Sequence, residues 1–307
     1  MRSAARATPE THATRAASAR SGAPRRGRAA LVALAAACTA ACVTIPDAPR
    51  ALVDGPFGIR VAALDCAAAA AAAHAAPVAV AGVDPAAIRV VTWNIHKEDD
   101  DGWQVDLARF AAGNDVLLLQ EVVLQDALTA ILRGAGLAWV MGSSFAYQSA
   151  DIGVLTATRV HPVGSCTQRV AEPLFAIPKS AVITWLPVRG SRATLAVANV
   201  HAINFAVSLT AYEAQLDALA AALAAHEGPL VVGGDLNTWS GERRAAMRRF
   251  ADRLGLAEIA YAEDGRARFL GQQVDHLLVR GLAVVTSAAT AVTSSDHNPA
   301  AAVLRVR

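Results

Sequence analysis

Short apolar runs alternate along the chain from Ile88 onward with stretches whose apolar residues recur every three or four positions. Runs of four to eight apolar or β-branched residues bounded by Gly, Pro, Asn or Asp predict strands, and the longer spacing predicts amphipathic helices. Strands are expected near 88–94, 115–120, 137–141, 152–158, 181–187, 193–199, 229–232, 275–280, 283–287 and 300–306. Helices are expected near 104–113, 124–134 and 241–254, and over 209–226, where Leu209, Leu216, Leu219 and Leu223 share a face. The strands over 181–187 and 193–199 turn on each other at Arg189-Gly190-Ser191. Hairpins mixed with helical crossovers predict an α/β chain, a four-layer α/β/β/α sandwich with two packed mixed β-sheets flanked by helices. No internal repeat is evident.

The first 42 residues follow another pattern. Arg2, Arg6, Arg15, Arg20, Arg25, Arg26 and Arg28 oppose one acid, Glu10; the apolar run Ala29 to Ala37 follows, then Cys38-Thr39-Ala40-Ala41-Cys42. Basic, apolar and small residues in that order before a cysteine make an export signal of the bacterial lipoprotein kind, with Cys42 or Cys38 the lipidated residue; an uncleaved alanine-rich tail is the other reading. Apolar character from Ala29 to Val43 covers 15 residues, short of the ~20 that span a bilayer. The expected location is therefore outside the cytoplasm, lipid-anchored to the cell envelope and facing the periplasm, or secreted. Residues 43–87, rich in Ala, Pro and Gly, read as a tether, and 88–307 as one folded, monomeric domain.

Charge looks different once that signal is set aside. The whole chain carries a formal +2, but without the seven arginines and one acid of residues 1–42, 21 basic and 25 acidic residues remain, a net −4. No Lys/Arg-rich stripe with aromatics is present, which argues against tight sequence-independent binding of nucleic acid. Cys66 and Cys166 lie outside the signal and either pair or stay apart, since Cys66 sits in low-complexity sequence; no C-x-x-C zinc motif exists.

The chemistry concentrates where strands end. Val231-Val232-Gly233-Gly234 runs into Asp235 and Asn237, Ile88 to Trp93 into Asn94 and His96, and Val116 to Leu119 into Gln120-Glu121. Leu195 to Ala198 runs into Asn199-Val200-His201, Gln273-Val274 into Asp275-His276, and Ser294-Ser295 into Asp296-His297-Asn298. Each segment alone has a bland reading: Asp-x-Asn after Gly-Gly as a turn, Glu121 as a solvated strand-end acid, each histidine as core or surface. If Glu121, Asp235, Asp275 and Asp296 share one cleft, they stay ionised at neutral pH only beside a compensating cation. Hard oxygen donors without thiolate favour Mg²⁺ or Mn²⁺ over zinc, and a phosphate ester is the substrate such a site suits.

Taken in order, Trp93-Asn94-Ile95-His96, Gln120-Glu121, Asn199-Val200-His201, Gly234-Asp235-Leu236-Asn237, Val274-Asp275-His276 and Ser295-Asp296-His297-Asn298-Pro299 resemble the motifs of the endonuclease/exonuclease/phosphatase superfamily. That group includes pancreatic deoxyribonuclease, abasic-site endonucleases, inositol-phosphate phosphatases and bacterial sphingomyelinases. The resemblance covers roughly 88–307. It implies Glu121 as principal metal ligand with Asn94 beside it and Asp296 completing or flanking the site. It implies Asp235 as the group that orients and deprotonates water, Asn237 holding water and phosphate, His297 on the scissile phosphate with Asp275 behind its imidazole, and His201 as a second phosphate contact. In the deoxyribonuclease branch the matching histidine has a carboxylate partner; here Asp151 and Gln148 are the nearest candidates. His96 and His276 are expected to support the site, and Lys179 to reach phosphate or lie exposed.

Three functions follow as expectations. The first is a metal-dependent phosphodiesterase or related phosphoesterase acting by direct water attack on nucleic acid or a small ester. The second is a phospholipid or sphingomyelin phosphodiesterase at the membrane surface, and the third a non-catalytic lipoprotein binding module. A calcineurin-like phosphoesterase is disfavoured, because its early Asp-x-His and later Gly-Asn-His are missing.

Overall fold

A computed structural model describes residues 43–55, 58–62, 65–174, 176–205 and 208–307. The expected export signal over 1–42 lies outside the described residues.

The long strands are β1 (Ile88–Asn94), β2 (Val116–Val123), β3 (Ala138–Tyr147), β4 (Ala150–Thr158), β5 (Gly164–Ala171), β6 (Pro178–Pro187), β7 (Thr194–His201), β8 (Leu230–Asp235), β9 (Asp275–Arg280), β10 (Leu282–Ala289) and β11 (Ala300–Val306). The helices are α1 (Cys66–His74), α2 (Trp103–Gly113), α3 (Asp126–Gly134), α4 (Thr210–Leu223) and α5 (Gly241–Leu254). One ten-stranded sheet runs β10, β11, β1, β2, β4, β3, with short strands at both margins; a six-stranded sheet runs β9, β8, β7, β6, β5 with Ala257–Glu258 outside β9. Each is mixed: β1 and β2 pair in parallel, as do β7 and β8, among antiparallel neighbours.

Alternation along the strands stacks the layers. In β1, Ile88 and Val90 enter the core between the sheets, while Val91 and Trp93 pack on the other face with Leu107 of α2 and Leu128 and Leu132 of α3. In β7, Leu195 and Val197 face inward, while Ala196, Ala198 and Val200 pack with Leu216 and Leu219 of α4 and Phe250 of α5. Both sheets thus bury both faces, which gives the expected α/β/β/α sandwich. Helix α5 starts where the Ser240 hydroxyl accepts from the Arg243 amide and ends at Gly255 in the left-handed region, φ 64°.

Two features depart from the sequence reading. Strand β5 was not expected, because Ser-Cys-Thr-Gln-Arg on a half-exposed sheet margin carries no apolar alternation. Residues 43–87, expected as a tether, are built into the fold. Ala51–Val53 pairs with Gly142–Val140 of β3 and with Arg60–Ala62; Val43–Thr44 pairs with the end of β3; Ala79 and Val83 bridge to Arg189 and Val188. A disulfide joins Cys66 of α1 to Cys166 of β5, 100 residues apart. The alanine block is a contact surface: Ala69 and Ala73 are buried, and a Cβ at Gly164 would lie 2.5 Å from the Ala69 carbonyl oxygen. Among the described residues no helix is long and apolar enough to cross a membrane.

Candidate active site

The face of each sheet that looks into the inter-sheet core is apolar for most of its length and turns polar at one end. On that face β1 ends in Asn94, β2 carries Gln120, β7 carries Asn199 and His201, β8 ends in Asp235 and β9 begins with Asp275. Register sets His201 opposite Asp235, and Asp235 opposite Asp275. Across the sheets the Asn94 amide donates to Asp235 Oδ2 at 3.2 Å. The two glycines before Asp235 permit this approach. A Cβ on Gly233 would come within 2.6 Å of Leu277 and 2.8 Å of Leu118, and one on Gly234, at φ 137°, within 2.0 Å of the Val200 carbonyl oxygen.

Gln120 and Asn199, although part of the motif pattern, lie beneath the site. Gln120 Nε2 donates to Asn199 Oδ1 at 2.7 Å, and Asn199 Nδ2 donates to the carbonyls of Leu119 and Leu155. They clasp one sheet to the other at full burial.

Glu121 reaches the cleft through a defect in its strand. Strict alternation would turn it toward α2 and α3, but the β2–β4 register slips between Leu119 and Val122, and Glu121 takes φ 55°. A bulge of this kind re-aims a side chain. Its carboxylate then faces Lys97 Nζ in an ion pair, His201 Nε2 at 3.7 Å and Lys179 Nζ at 3.9 Å. Burial works against its charge, yet His201, Lys179 and Lys97 prevail and lower its pKa to about 2.

Asp235 is the hub. Its Oδ1 accepts from the Asn237 amide at 3.0 Å, and its Oδ2 lies 3.4 Å from His201 Nε2 and 4.0 Å from His297 Nε2. Asn237, at φ 47°, donates its side-chain NH₂ to the Ala202 carbonyl and so fixes the loop after β7.

The two imidazoles are held in opposite states. His297 Nδ1 lies 2.8 Å from Asp275 Oδ2. Burial opposes its charge, but Asp275, Asp235 and Asp296 outweigh it and raise the pKa to about 10, so His297 is an imidazolium at neutral pH. His201 Nε2 lies 2.9 Å from Lys179 Nζ, and burial together with that ammonium lowers its pKa to about 4, leaving a neutral ring.

Some expected residues stand elsewhere. Asp296 has a 61% exposed side chain that lies 3.8 Å from His96 Nδ1, so it flanks the cleft. Asp151 is bound to Arg50 and Ser143, and exposed Gln148 to Tyr147; neither partners His201, which faces Lys179 instead. His96 pairs with Asp100. His276 is fully buried between Thr238 and Glu258 and braces the loop after Asp235. Sequence reasoning missed Lys97, which adjoins the first motif, and Arg243, in the first turn of α5. The Arg243 guanidinium stacks over Tyr212 and Trp239 and donates to the carbonyls of Ile203, Asn204 and Asn237, joining the two loops behind His201 and Asp235.

Among the described residues no three His, Cys, Asp or Glu side chains cluster closely enough to hold a metal by themselves. The donor set nevertheless fits a hard cation. Glu121 is an ionised carboxylate with the Lys97 ammonium resting on it, a stand-in for positive charge, and Asn94 adds an amide oxygen. Mg²⁺ takes one or two carboxylates, keeps several waters and completes its shell with substrate phosphate.

Comparison with known proteins agrees with this geometry. The model of the Endonuclease/Exonuclease/phosphatase family matches residues 91–297. A UPF0294 protein of Yersinia pseudotuberculosis is 35% identical over 212 residues, 69% of this chain and 81% of its own. A UPF0294 protein of Vibrio campbellii is 36% identical over 215 residues, 69% of this chain and 75% of its own. Among solved structures, a functionally unknown conserved protein from Enterococcus faecalis superposes with TM-score 0.58 at 16% identity, covering 72% of this chain and 100% of the other. The human Nocturnin catalytic domain superposes with TM-score 0.55 at 20% identity, covering 74% and 97%. The structural likenesses bear on the fold, and the family match spans every motif from the end of β1 to His297: the chain belongs to the endonuclease/exonuclease/phosphatase family.

Proposed function

We propose that this protein is a divalent-metal-assisted phosphoesterase that hydrolyses a phosphodiester, or a related phosphate ester, by direct attack of water. The observation that carries the reading is Asp235 standing between a neutral and a charged imidazole, where the ends of both sheets meet.

Asp235, its carboxylate fixed by Asn94 and the Asn237 amide, orients a water and takes its proton. The water oxygen bonds to phosphorus, the P–O bond to the leaving alkoxide breaks, and that alkoxide takes a proton from solvent while Asp235 releases its own to solvent. His297, charged and held by Asp275, donates to a phosphate oxygen as negative charge builds there. His201, a neutral ring, accepts from Lys179 through Nε2 and holds that cation beside the phosphate. Mg²⁺ or Mn²⁺, held by Glu121 and Asn94 with Asp296 at the flank, would supply charge neutralisation at the phosphate.

The cellular setting belongs to the same reading: an exported monomer attached to the membrane through lipidated Cys42. The test is hydrolysis of plasmid DNA, RNA, bis-p-nitrophenyl phosphate, p-nitrophenyl phosphate and an inositol phosphate, each with Mg²⁺, Mn²⁺ or EDTA. Chelator-sensitive turnover of one class supports the chemistry; turnover that EDTA leaves unchanged overturns the metal, and silence on every substrate favours a binding module.

A further inference from the structure

The turn that follows β1 is strained backbone with nothing buried in it. His96, Lys97 and Glu98 take φ 48°, 57° and 65°, three consecutive non-glycine residues in the left-handed region. A residue with a Cβ adopts this region only at a cost, and persists there where surrounding contacts over-determine it. None of the three is buried, so core packing does not supply the compensation.

Several contacts of the turn lead to the bulge of β2. Strand β1 ends at Asn94, opposite Gln120, and the Ile95 amide then donates to the Gln120 carbonyl at 3.0 Å. Among the described residues no strand pairs with β2 on this side beyond Gln120. The Leu124 amide turns to the other side and donates to the Asp151 carbonyl of β4 at 2.9 Å. The Val123 amide, left without a strand beside it, donates to Glu98 Oε1 at 3.1 Å, and Gln125 Nε2 donates to Glu98 Oε2. One turn therefore pins the bulge at both ends, Gln120 through Ile95 and Val123 through Glu98. Lys97, between them, meets the Glu121 carboxylate itself.

Glu121 needs the second pin. A bulge relaxes when its extra residue slides along the strand, and a slip of one residue turns every side chain it passes to the other face. Such a slide toward Leu124 would release Glu121 from φ 55° and return its carboxylate to the side of α2 and α3. Fixing the amide just past the bulge blocks it. We infer that Glu98 is a positioning residue: by capping the Val123 amide it holds the bulge that delivers Glu121 to the cleft, and so sets how tightly the cleft holds a divalent cation. The inference rests on the phosphoesterase reading above, in which Glu121 is the principal ligand. Both carboxylate oxygens of Glu98 are engaged by Val123 and Gln125, so it acts through Glu121 and not as a ligand.

The test measures Mn²⁺ binding to the full chain by calorimetry for wild type, Glu98→Ala and Glu98→Gln, with the urea midpoint of each recorded alongside. Glu98→Ala should weaken Mn²⁺ by about 10- to 100-fold, the usual effect of losing a group that orients a ligand. Glu98→Gln should stay within about threefold of wild type, because its amide oxygen still accepts from Val123 while Gln125 turns its own amide over to accept from the new NH₂. Should Glu98→Ala not fold, Glu98→Asp replaces it with the same expectation, since it is one methylene too short to reach Val123. A shifted urea midpoint with unchanged Mn²⁺ affinity overturns the inference and leaves Glu98 a merely structural role. Equal weakening in Glu98→Gln overturns the capping of Val123 as the cause. Wild type that binds no Mn²⁺, or binds it equally after Glu121→Gln, overturns the metal reading and the inference with it, before any Glu98 variant is compared. Mn²⁺ bound through Glu121 without turnover of any ester overturns the phosphoesterase reading alone, and the Glu98 inference is then decided by the binding data.

Discussion

Asp275→Asn isolates what the His297–Asp275 pair contributes. The substitution is isosteric, and asparagine can still accept from His297 Nδ1, so the ring stays in place while its main counter-charge disappears. With a pKa of about 10, His297 is ~99% protonated at about pH 8. Without Asp275, only Asp235 and Asp296 still oppose burial, so the value falls toward the ordinary histidine range, where ~3% would stay protonated at about pH 8, a loss of up to about thirtyfold in active form. Asp275 Oδ1 has no hydrogen-bond partner among the described residues, so the new NH₂ is buried unpaired, at a cost of about 1–3 kcal/mol. Stability carries the opposite sign from the usual carboxylate case. The folded pKa lies above the unfolded one, so the stabilisation is complete below about pH 6.5 and is lost as pH rises through about 10. The wild type should lose stability across that window, and the variant should not. The assay is kcat/KM for bis-p-nitrophenyl phosphate across pH, paired with NMR titration of the His297 ring. A wild-type ring titrating near 6.5, or a variant whose pH profile parallels the wild type, would refute the reasoning.

Asp235→Ala and His297→Ala should each lower turnover by about 10³-fold or more with circular dichroism unchanged; appreciable turnover in either purified variant would remove its assigned role. Glu121→Gln should abolish Mn²⁺ binding measured by calorimetry, and unchanged affinity would place the cation elsewhere. Gly234→Ala should destabilise by several kcal/mol, read as the urea midpoint, because its Cβ meets the Val200 carbonyl oxygen. Removing the disulfide with Cys66→Ser should cost about 4 kcal/mol, since the closed loop is 100 residues; a midpoint within error of the wild type would argue that the linkage is incidental.

How far the sequence led can be traced through single residues. Strands β1, β8 and β9 were legible because clean apolar runs end in a polar residue, and the same runs announced Asn94, Asp235 and Asp275. Strand β5 was hidden by its polar margin. The tertiary role of Cys66–His74 was hidden by composition, since alanine in a linker and alanine at a tight helix–strand contact look alike in sequence. Lys97 and Lys179 escaped a firm role for a different reason. Their relation to Glu121 depends on a bulge and on a turn of three residues at positive φ, His96 to Glu98, and neither leaves a periodic trace. Gln120 and Asn199 erred in the other direction: they sit in motif positions but serve the join between the sheets.

The strands contributed by residues 43–62 also settle how small the protein can be made. They lie along β3, a ten-residue strand that carries Trp139, Val140, Met141, Phe145 and Tyr147. Cut away at Ile88, they would leave the β3 hydrogen-bonding groups open to any other chain in solution, an invitation to edge-to-edge aggregation. A shortened form beginning at the first motif would then precipitate with every catalytic residue intact, and its silence in an assay would say nothing about the chemistry.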